Sequence, residues 1–358
     1  MRIVQVMPSV TFGDAVSNDA RAICNVIAEM GYETGIYAEN IGKDVRDKNV
    51  HPMSMLPKLC DEDIVIFNHS TGTELCYSIE KLAGRKMMIY HNITPPKFFR
   101  GYSTRLENIT EYGYKGTRYL CGEIDHVMAV SDFNAESLKK LGYNCPMTIR
   151  PILIPFEDYT RAPNDKIIER YQDREYVNIL FVGRISPNKR HENVIRVFAH
   201  YKKHINPKSR LIFVGSDRGT EKYSECLRKY VQQLRVDDVV FAGHTDFPSL
   251  LAYYKIADVF LCMSEHEGFC VPLVEAMFFD IPIVAYNSSA VADTLGGSGV
   301  LISEADPILV SNVIDRIVND STFKETIIKG QRDRLSDFSY NKVRNEFILQ
   351  LEEFINQK

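Results

Sequence analysis

SEHEGFCVPLVEAMFFDIPIVAY, running from Ser264 to Tyr286, sets two carboxylates, Glu267 and Glu275, eight residues apart around a loop that opens into a helix. Gly268 lies between them and Pro272 falls where the helix should begin. Glycine lets the backbone approach a ligand closely, and proline is favoured at a first helical position, where its missing N–H costs nothing. The amides of Gly268, Phe269, Cys270 and Val271 then point outward at a helix N-terminus, where orphan donors and the positive end of the dipole suit sugar hydroxyls or phosphate oxygens. Glu275 is placed in the first turn, a position the dipole favours for a carboxylate.

Working outward, the second half alternates strands and helices. Strands are read near VNILFVG, RLIFVG, VVFAG, VFLCM and PIVAY, and helix starts are signalled by Asp246 before FPSLLAYY and by Asp306 before Pro307. The first half repeats the rhythm, with strands RIVQVM, DIVIFN, KMMIY and HVMAV and helical spacing over 15–30, 73–83 and 134–141. Between Pro151 and Tyr176 a polar segment broken by Pro151, Pro155 and Pro163 reads as an interdomain connection. Such alternation implies right-handed crossovers and parallel sheets covered on both faces, hence two Rossmann-like domains. The tail from Ser339 to Phe354, with Val343, Phe347, Leu351 and Phe354 at helical spacing, reads as an amphipathic helix.

At 358 residues the chain exceeds the usual size of one core, and 45% hydrophobic with 25% charged residues is ordinary globular composition. The net charge of -4 argues against a general nucleic-acid binder. No apolar run is long enough to span a bilayer, and MRIVQVMPSV lacks the features of a signal peptide, so a cytoplasmic location is expected. The eight cysteines show neither a Cys-x-x-Cys pair nor a Cys/His cluster of zinc spacing, so disulfides and structural zinc are not expected.

EGFCVPLVE resembles the donor-site signature of the family 4 retaining glycosyltransferases, which have the GT-B fold. FVGRISPNKRHENVI from Phe181 resembles that family's phosphate-binding segment, and LLAYYKIADVFLCMS from Leu250 resembles the helix and strand leading into the carboxylate loop. The match covers roughly residues 177 to 302 and is only general in the first half. It implies two doubly wound parallel-sheet domains facing across a cleft. An acceptor-binding domain is expected over 1–160, a nucleotide-sugar donor-binding domain over 161–338, and a helix over 339–358 crossing back to the first domain.

Breaking a glycosidic bond to a nucleoside diphosphate leaves negative charge on the departing phosphate, which preorganised cations and backbone donors stabilise best. Arg184 and Lys189 follow the strand ILFVG at the edge where open α/β sheets bind ligands, and the resemblance gives them the diphosphate. It also gives Glu275 the ribose hydroxyls, Glu267 the hydroxyls of the transferred sugar, and His91, just past the strand KMMIY, a reach to the donor sugar and reacting centre. Two carboxylates invite a glycosidase reading, but one on a loop and one on a ligand-facing helix suit gripping a donor better than flanking an anomeric carbon. In the family, retention is ascribed to a front-face reaction in which the leaving phosphate helps deprotonate the acceptor. Neither carboxylate is therefore assigned as a nucleophile.

Gly13 and Asp14 stand where many relatives carry adjacent glycines, which makes a phosphate contact less secure and points Asp14 toward the acceptor. Gly215 and Ser216, and separately Gly243 and His244, end strands at the donor edge, where their backbones suit the base and ribose; each alone reads equally as a turn. PPKFFRGYSTRLENITEYGYKGTRY interleaves cations, among them Lys97 and Arg100, with aromatic rings. That mixture suits a membrane surface or a lipid-linked acceptor, and equally a helix with its apolar face in a core.

The expectation is a retaining hexosyltransferase using a guanosine or uridine diphosphate sugar as co-substrate, with a glycan or lipid-linked acceptor. Surface polysaccharide or glycoconjugate synthesis is the setting, peripheral contact at the inner membrane face is allowed, and nucleic acid is not a partner. Without an Asp-x-Asp pair in a suitable loop, no obligatory metal or other cofactor is expected. Two rivals stand: a nucleotide-sugar epimerase of similar fold, which needs no acceptor, and a catalytically silent binding subunit.

Overall fold

The computed structural model describes residues 1–173 and 175–357. The chain divides into two compact units. Unit 1 comprises Met1–Lys97, Leu106–Phe156 and the stretch from Asp337 onward, and unit 2 comprises Phe98–Arg105 and Glu157–Ser336.

Unit 1 is built on seven parallel strands: β1 (Arg2–Val10), β2 (Glu33–Ile41), β3 (Val50–Pro52), β4 (Ile64–His69), β5 (Arg85–Tyr90), β6 (His126–Ala129) and β7 (Met147–Ile149). Their order is β3-β2-β1-β4-β5-β6-β7. Every residue of β4 is buried, as a parallel strand covered on both faces requires, and it pairs with β1 in the register Ile3–Ile64 and Val4–Val65. The helix expected over 15–30 spans Ala15–Glu29, capped by the Asp14 carboxylate, which accepts from the Ser17 amide at 3.0 Å. The one expected over 134–141 spans Asp132–Leu141, between a Ser131 cap and left-handed Gly142.

The helix expected over 73–83 does not form. Two short 3-10 turns, Glu74–Tyr77 and Ile79–Lys81, stand there instead, separated at Ser78, whose φ/ψ of -127°/-16° leaves the helical region. The spacing of Leu75, Cys76 and Ile79 is that of three buried anchors on these turns, too short a run for a stable α-helix. The aromatic and basic segment forms the helix Thr104–Tyr119, whose Gly113 and Gly116 allow close approach. A Cβ on Gly113 would lie 2.7 Å from the Gly72 amide, and one on Gly116 2.5 Å from Cys76 Cβ.

Unit 2 has six parallel strands: β8 (Val177–Val182), β9 (Ser209–Val214), β10 (Val239–Gly243), β11 (Val259–Cys262), β12 (Ile283–Tyr286) and β13 (Val300–Ile302). They run in the order β10-β9-β8-β11-β12-β13. Asp246 caps the helix Phe247–Lys255 and Asp306 caps Pro307–Asn319, both through side-chain bonds to early amides. Phe98–Arg105 belongs to this unit through the Phe98 ring, 6.1 Å from that of His266, and Tyr102, 5.1 Å from Tyr223.

The tail forms the helix Tyr340–Asn356 and packs within unit 1, with Val343, Phe347 and Leu351 fully buried. Arg85 donates to the carbonyls of Phe354 and Gln357 at 2.6 Å and of Ile355 at 3.1 Å, satisfying acceptors that a helix C-terminus leaves orphaned. Arg344 pairs with Glu29 at 2.7 Å, and Thr148 donates to Gln350 at 2.9 Å. Among the described residues no helix is long and apolar enough to cross a membrane.

Candidate functional site

The strand order of unit 2 reverses between β8 and β11, so their outgoing loops part at the C-terminal edge of the sheet and open a crevice there. Residues on the rims of that crevice are brought together although 78 positions separate them. The Asn188 carbonyl accepts from the Glu265 amide and its side-chain amide donates to the His266 carbonyl, both at 2.9 Å. Arg190 donates to Glu265 at 2.7 Å, and the Lys189 ammonium reaches both oxygens of Glu267, at 2.6 and 2.5 Å. Burial opposes the Lys189 charge, yet the Glu267 carboxylate outweighs it and holds that ammonium above its ordinary value.

Behind this pair, at the end of β11, Cys262 and Cys270 converge with Glu267: the two sulfurs and a carboxylate oxygen all lie within 4.8 Å of one another, and the three residues are buried. The Cys270 thiol is pushed well above its ordinary value by its hydrogen bond with Cys262 and by burial. Sequence spacing does not reveal this cluster, because a strand end and a helix cap, rather than a Cys-x-x-Cys turn, bring the thiols together.

The helix begins at Val271, so Pro272 is its second residue and not its first. Cys270 caps it in the left-handed region, at φ +76°, where a residue with a Cβ is strained. Glu275 consequently falls beyond the first turn, contrary to the sequence expectation, and the dipole is not what fixes it. Its two oxygens accept from the hydroxyls of Tyr159, at 2.6 Å, and Tyr254. Burial raises the Glu275 pKa while both tyrosines favour its charged form. Tyr254 stacks on Phe279 with centroids 5.1 Å apart and planes 4° from parallel.

Around the rim, Gly215, Ser216 and His244 occupy the ends of β9 and β10. The Ile185 amide donates to the Ser216 carbonyl and the Gly215 amide to the Gly243 carbonyl, each at 2.9 Å, so the loops after β8, β9 and β10 are tied in series. Arg184 is exposed and donates to the Arg218 carbonyl at 3.4 Å, and His244 is exposed. The loops of Gly268, Phe269 and Val271 share the crevice edge with Glu267, whose amide donates to Ser289 Oγ at 2.8 Å.

In unit 1 the order reverses between β1 and β4. Gly13 follows β1 at φ +74° with open space where a Cβ would sit, whereas Asp14 spends its carboxylate on the helix cap, also accepting from Ser17 Oγ at 2.8 Å. His91 follows β5 and is buried, and neither ring nitrogen has a hydrogen-bond partner. Its Nε2 lies 3.8 Å from Asp19, which is itself clamped by Arg150 at 3.0 and 2.6 Å and by the Leu153 amide at 2.8 Å. Burial pushes His91 down to about 4, against the opposing pull of Asp19. Lys97 and Arg100 are both exposed, but they divide between the units, Lys97 in unit 1 and Arg100 in unit 2.

Four residues of the unit 2 crevice escaped sequence reasoning: Asn188, Tyr159, Tyr254 and Cys262. Asn188, Tyr254 and Cys262 all lie inside the quoted motifs, but nothing in their local sequence names the partner each one meets. Tyr159 sits in the segment read only as a connection.

Two parallel Rossmann-like units, with a carboxylate loop at the switch point of the second, have the architecture of the GT-B fold. Residues 164–334 match the family described as Glycosyl transferases group 1. A curated relative is an alpha-1,4-N-acetyl-D-galactosaminyltransferase of Campylobacter jejuni whose name gives an undecaprenol-linked glycan as its substrate. It is 23% identical over 181 residues, covering 50% of this chain and 48% of the relative. The chain spans about half the length of the first curated relatives it matches. Among solved structures, sucrose-phosphate synthase from Thermosynechococcus elongatus superposes with a TM-score of 0.78 at 16% identity, covering 100% of both chains. HepE of Anabaena, solved with UDP and glucose, gives 0.76 at 15% identity, covering 99% of this chain and 100% of that one. At these identities the likeness establishes the fold.

Proposed function

We propose that this protein is a retaining glycosyltransferase that moves a hexose from a guanosine or uridine diphosphate sugar to a glycan or lipid-linked acceptor in surface polysaccharide or glycoconjugate synthesis. The observation that carries the reading is the Lys189–Glu267 pair at the β8/β11 switch point, on the rim that also presents the start of the helix Val271–Phe278. Without ligand, cation and carboxylate satisfy each other. A bound donor gives Lys189 a diphosphate, frees Glu267 for sugar hydroxyls, and adds the exposed fork of Arg184. Glu275 uses one acceptor site on each oxygen for the tyrosines, and a carboxylate offers about four such sites, so ribose hydroxyls can be taken alongside them. The amides of Gly268, Phe269, Cys270 and Val271 and the backbones of Gly215, Ser216 and His244 complete the donor grip. Charge on the leaving phosphate is met by these groups, which is why no obligatory metal is assigned.

In unit 1 the reading gives His91 to the reacting sugar and Gly13 to the donor, with Asp14 and Lys97 on the acceptor side; Arg100 takes that role from unit 2. The His91 ring nitrogens are the buried polar atoms that a ligand hydroxyl would satisfy. The exposed Lys97 and Arg100 suit an anionic acceptor headgroup, the basis for assigning peripheral membrane contact.

A donor panel read by thermal shift and by slow donor hydrolysis tests the proposal, since a ligand that binds the folded state raises stability by mass action. Lys189→Ala is expected to lower turnover by ~10² to 10³ at saturating donor, the scale for losing one preorganised charge-stabilising group. An unchanged rate, or no stabilisation by any nucleotide sugar, contradicts the reading.

A further inference from the structure

Behind the Lys189–Glu267 pair lies chemistry that sugar transfer does not use. Cys262 closes β11 with 1% of its surface exposed, and Cys270 caps the following helix with 8% exposed. Between them in sequence, Glu267 returns its carboxylate to within 4.8 Å of both sulfurs. Cys270 adopts its strained left-handed conformation at this point, a cost that is tolerated where the surroundings over-determine the position. Two thiols and one carboxylate in mutual reach are three of the four ligands of a tetrahedral zinc-type site, and sulfur donors favour zinc or cobalt over magnesium or calcium.

We propose that Cys262, Cys270 and Glu267 bind a thiophilic divalent cation of the zinc class, and that the bound ion closes the donor rim by taking Glu267 away from Lys189. The charge balance favours the exchange. In the metal-free cluster two neutral thiols, the Glu267 carboxylate and the Lys189 ammonium sum to zero. Binding removes the two thiol protons to solvent and adds one doubly charged ion, so two thiolates, one carboxylate, one ammonium and the cation again sum to zero. No oxidant or reductant is required. Lys189, whose side chain keeps 18% of its surface exposed against 6% for Glu267, marks the route by which an ion enters from solvent. A water supplies the fourth ligand.

This site is inhibitory rather than cofactor-holding: a cation seated on Glu267 withdraws the carboxylate assigned to the donor sugar and leaves Lys189 beside the ion. Binding stands apart from the transferase reading, whereas inhibition rests on it, and the two are tested by separate measurements.

The test uses the full chain, reduced, with the exposed Cys60 and Cys226 changed to Ser to remove competing thiols. Titration with Co²⁺ is expected to give a one-to-one thiolate-to-cobalt charge-transfer band, release two protons per ion, and be reversed by Zn²⁺. Cys262→Ser, checked for folding by circular dichroism, should weaken the affinity at least about tenfold, since even outer-shell changes cost that much. Glu267→Gln, which keeps the shape of the site, serves as a second variant should Cys262→Ser fail to fold, and is expected to weaken binding likewise. Absence of the band in the parent, or an unchanged affinity in either folded variant, overturns the site. In the second arm, Zn²⁺ is expected to suppress donor hydrolysis in the parent, with reversal by a chelator and at least tenfold less sensitivity in Cys262→Ser. A cobalt band in a protein that hydrolyses no donor keeps the site and defeats the transferase reading. Hydrolysis with no band does the reverse.

Discussion

Three buried histidines are held neutral by the fold at ordinary pH. His69 is pushed down to about 3 and His91 to about 4, chiefly by burial, and His191 to about 3 by burial and the nearby Lys189 charge. All start from 6.5, so the unfolded chain binds protons that the folded one refuses. Their contribution to stability is therefore fully present above pH 6.5 and is lost progressively as pH falls from there, the loss being complete at about 4 for His91 and about 3 for His69 and His191. The loss amounts to about 1.4 kcal/mol per pH unit for each histidine. Urea unfolding at pH 7 and pH 5 should show His191→Leu losing less stability on acidification than the parent; equal losses would remove His191 from the account. At this same scale the motifs singled out Lys189 and Glu267, which the fold brings into one ion pair. The tyrosine clamp on Glu275 was not legible, since Tyr159 and Tyr254 reach it from 116 and 21 positions away and no pattern in either segment names the partner.

Elements follow from periodicity until a short segment or a glycine intervenes. The parallel strands read as apolar runs because both of their faces are covered, and the Asp246 and Asp306 caps hold where a carboxylate precedes a helix start. The 73–83 stretch deceived because three apolar anchors at helical spacing also fit two 3-10 turns, which only packing against the neighbouring helix distinguishes. The rim of unit 2 depends on a backbone approach that sequence marks merely as a turn glycine. Gly215 has φ +153°, and a Cβ there would stand 1.9 Å from the Gly183 carbonyl oxygen, a backbone atom that cannot step aside. Gly215→Ala is expected to cost at least about 2 kcal/mol. Gly13→Ala, at φ +74° but in open space, pays only the conformational penalty of about 1 kcal/mol. Urea midpoints measured on both variants compare the two; a Gly215→Ala protein no less stable than Gly13→Ala would show that the β8 and β9 loops separate freely.

At the scale of the molecule, unit 1 is not one continuous stretch: the chain leaves it at Phe156 and returns to it from Asp337. The spacing of Val343, Phe347, Leu351 and Phe354 announces an apolar stripe but not the surface that receives it, because a stripe is satisfied by any complementary face. What selects unit 1 is a set of specific partners on strands and helices laid down more than 200 residues earlier, such as Arg85 for the carbonyls of the last turn and Thr148 for Gln350. Arg85 serves twice, since its guanidinium also lies 4.4 Å from the centroid of the Phe354 ring. If that contact helps hold the returning helix, the two side chains must be energetically coupled. Arg85→Ala and Phe354→Ala are each destabilising, the second by about 3 to 5 kcal/mol as a buried aromatic is lost. The double variant should fall short of the sum by at least about 0.5 kcal/mol, the signature of residues in direct contact. Strict additivity in urea unfolding would mean that Arg85 acts only through the backbone carbonyls. The apolar stripe would then have to hold the helix in unit 1 unaided, and Phe347→Ala, with an expected cost of about 3 to 5 kcal/mol, would be the variant that releases it.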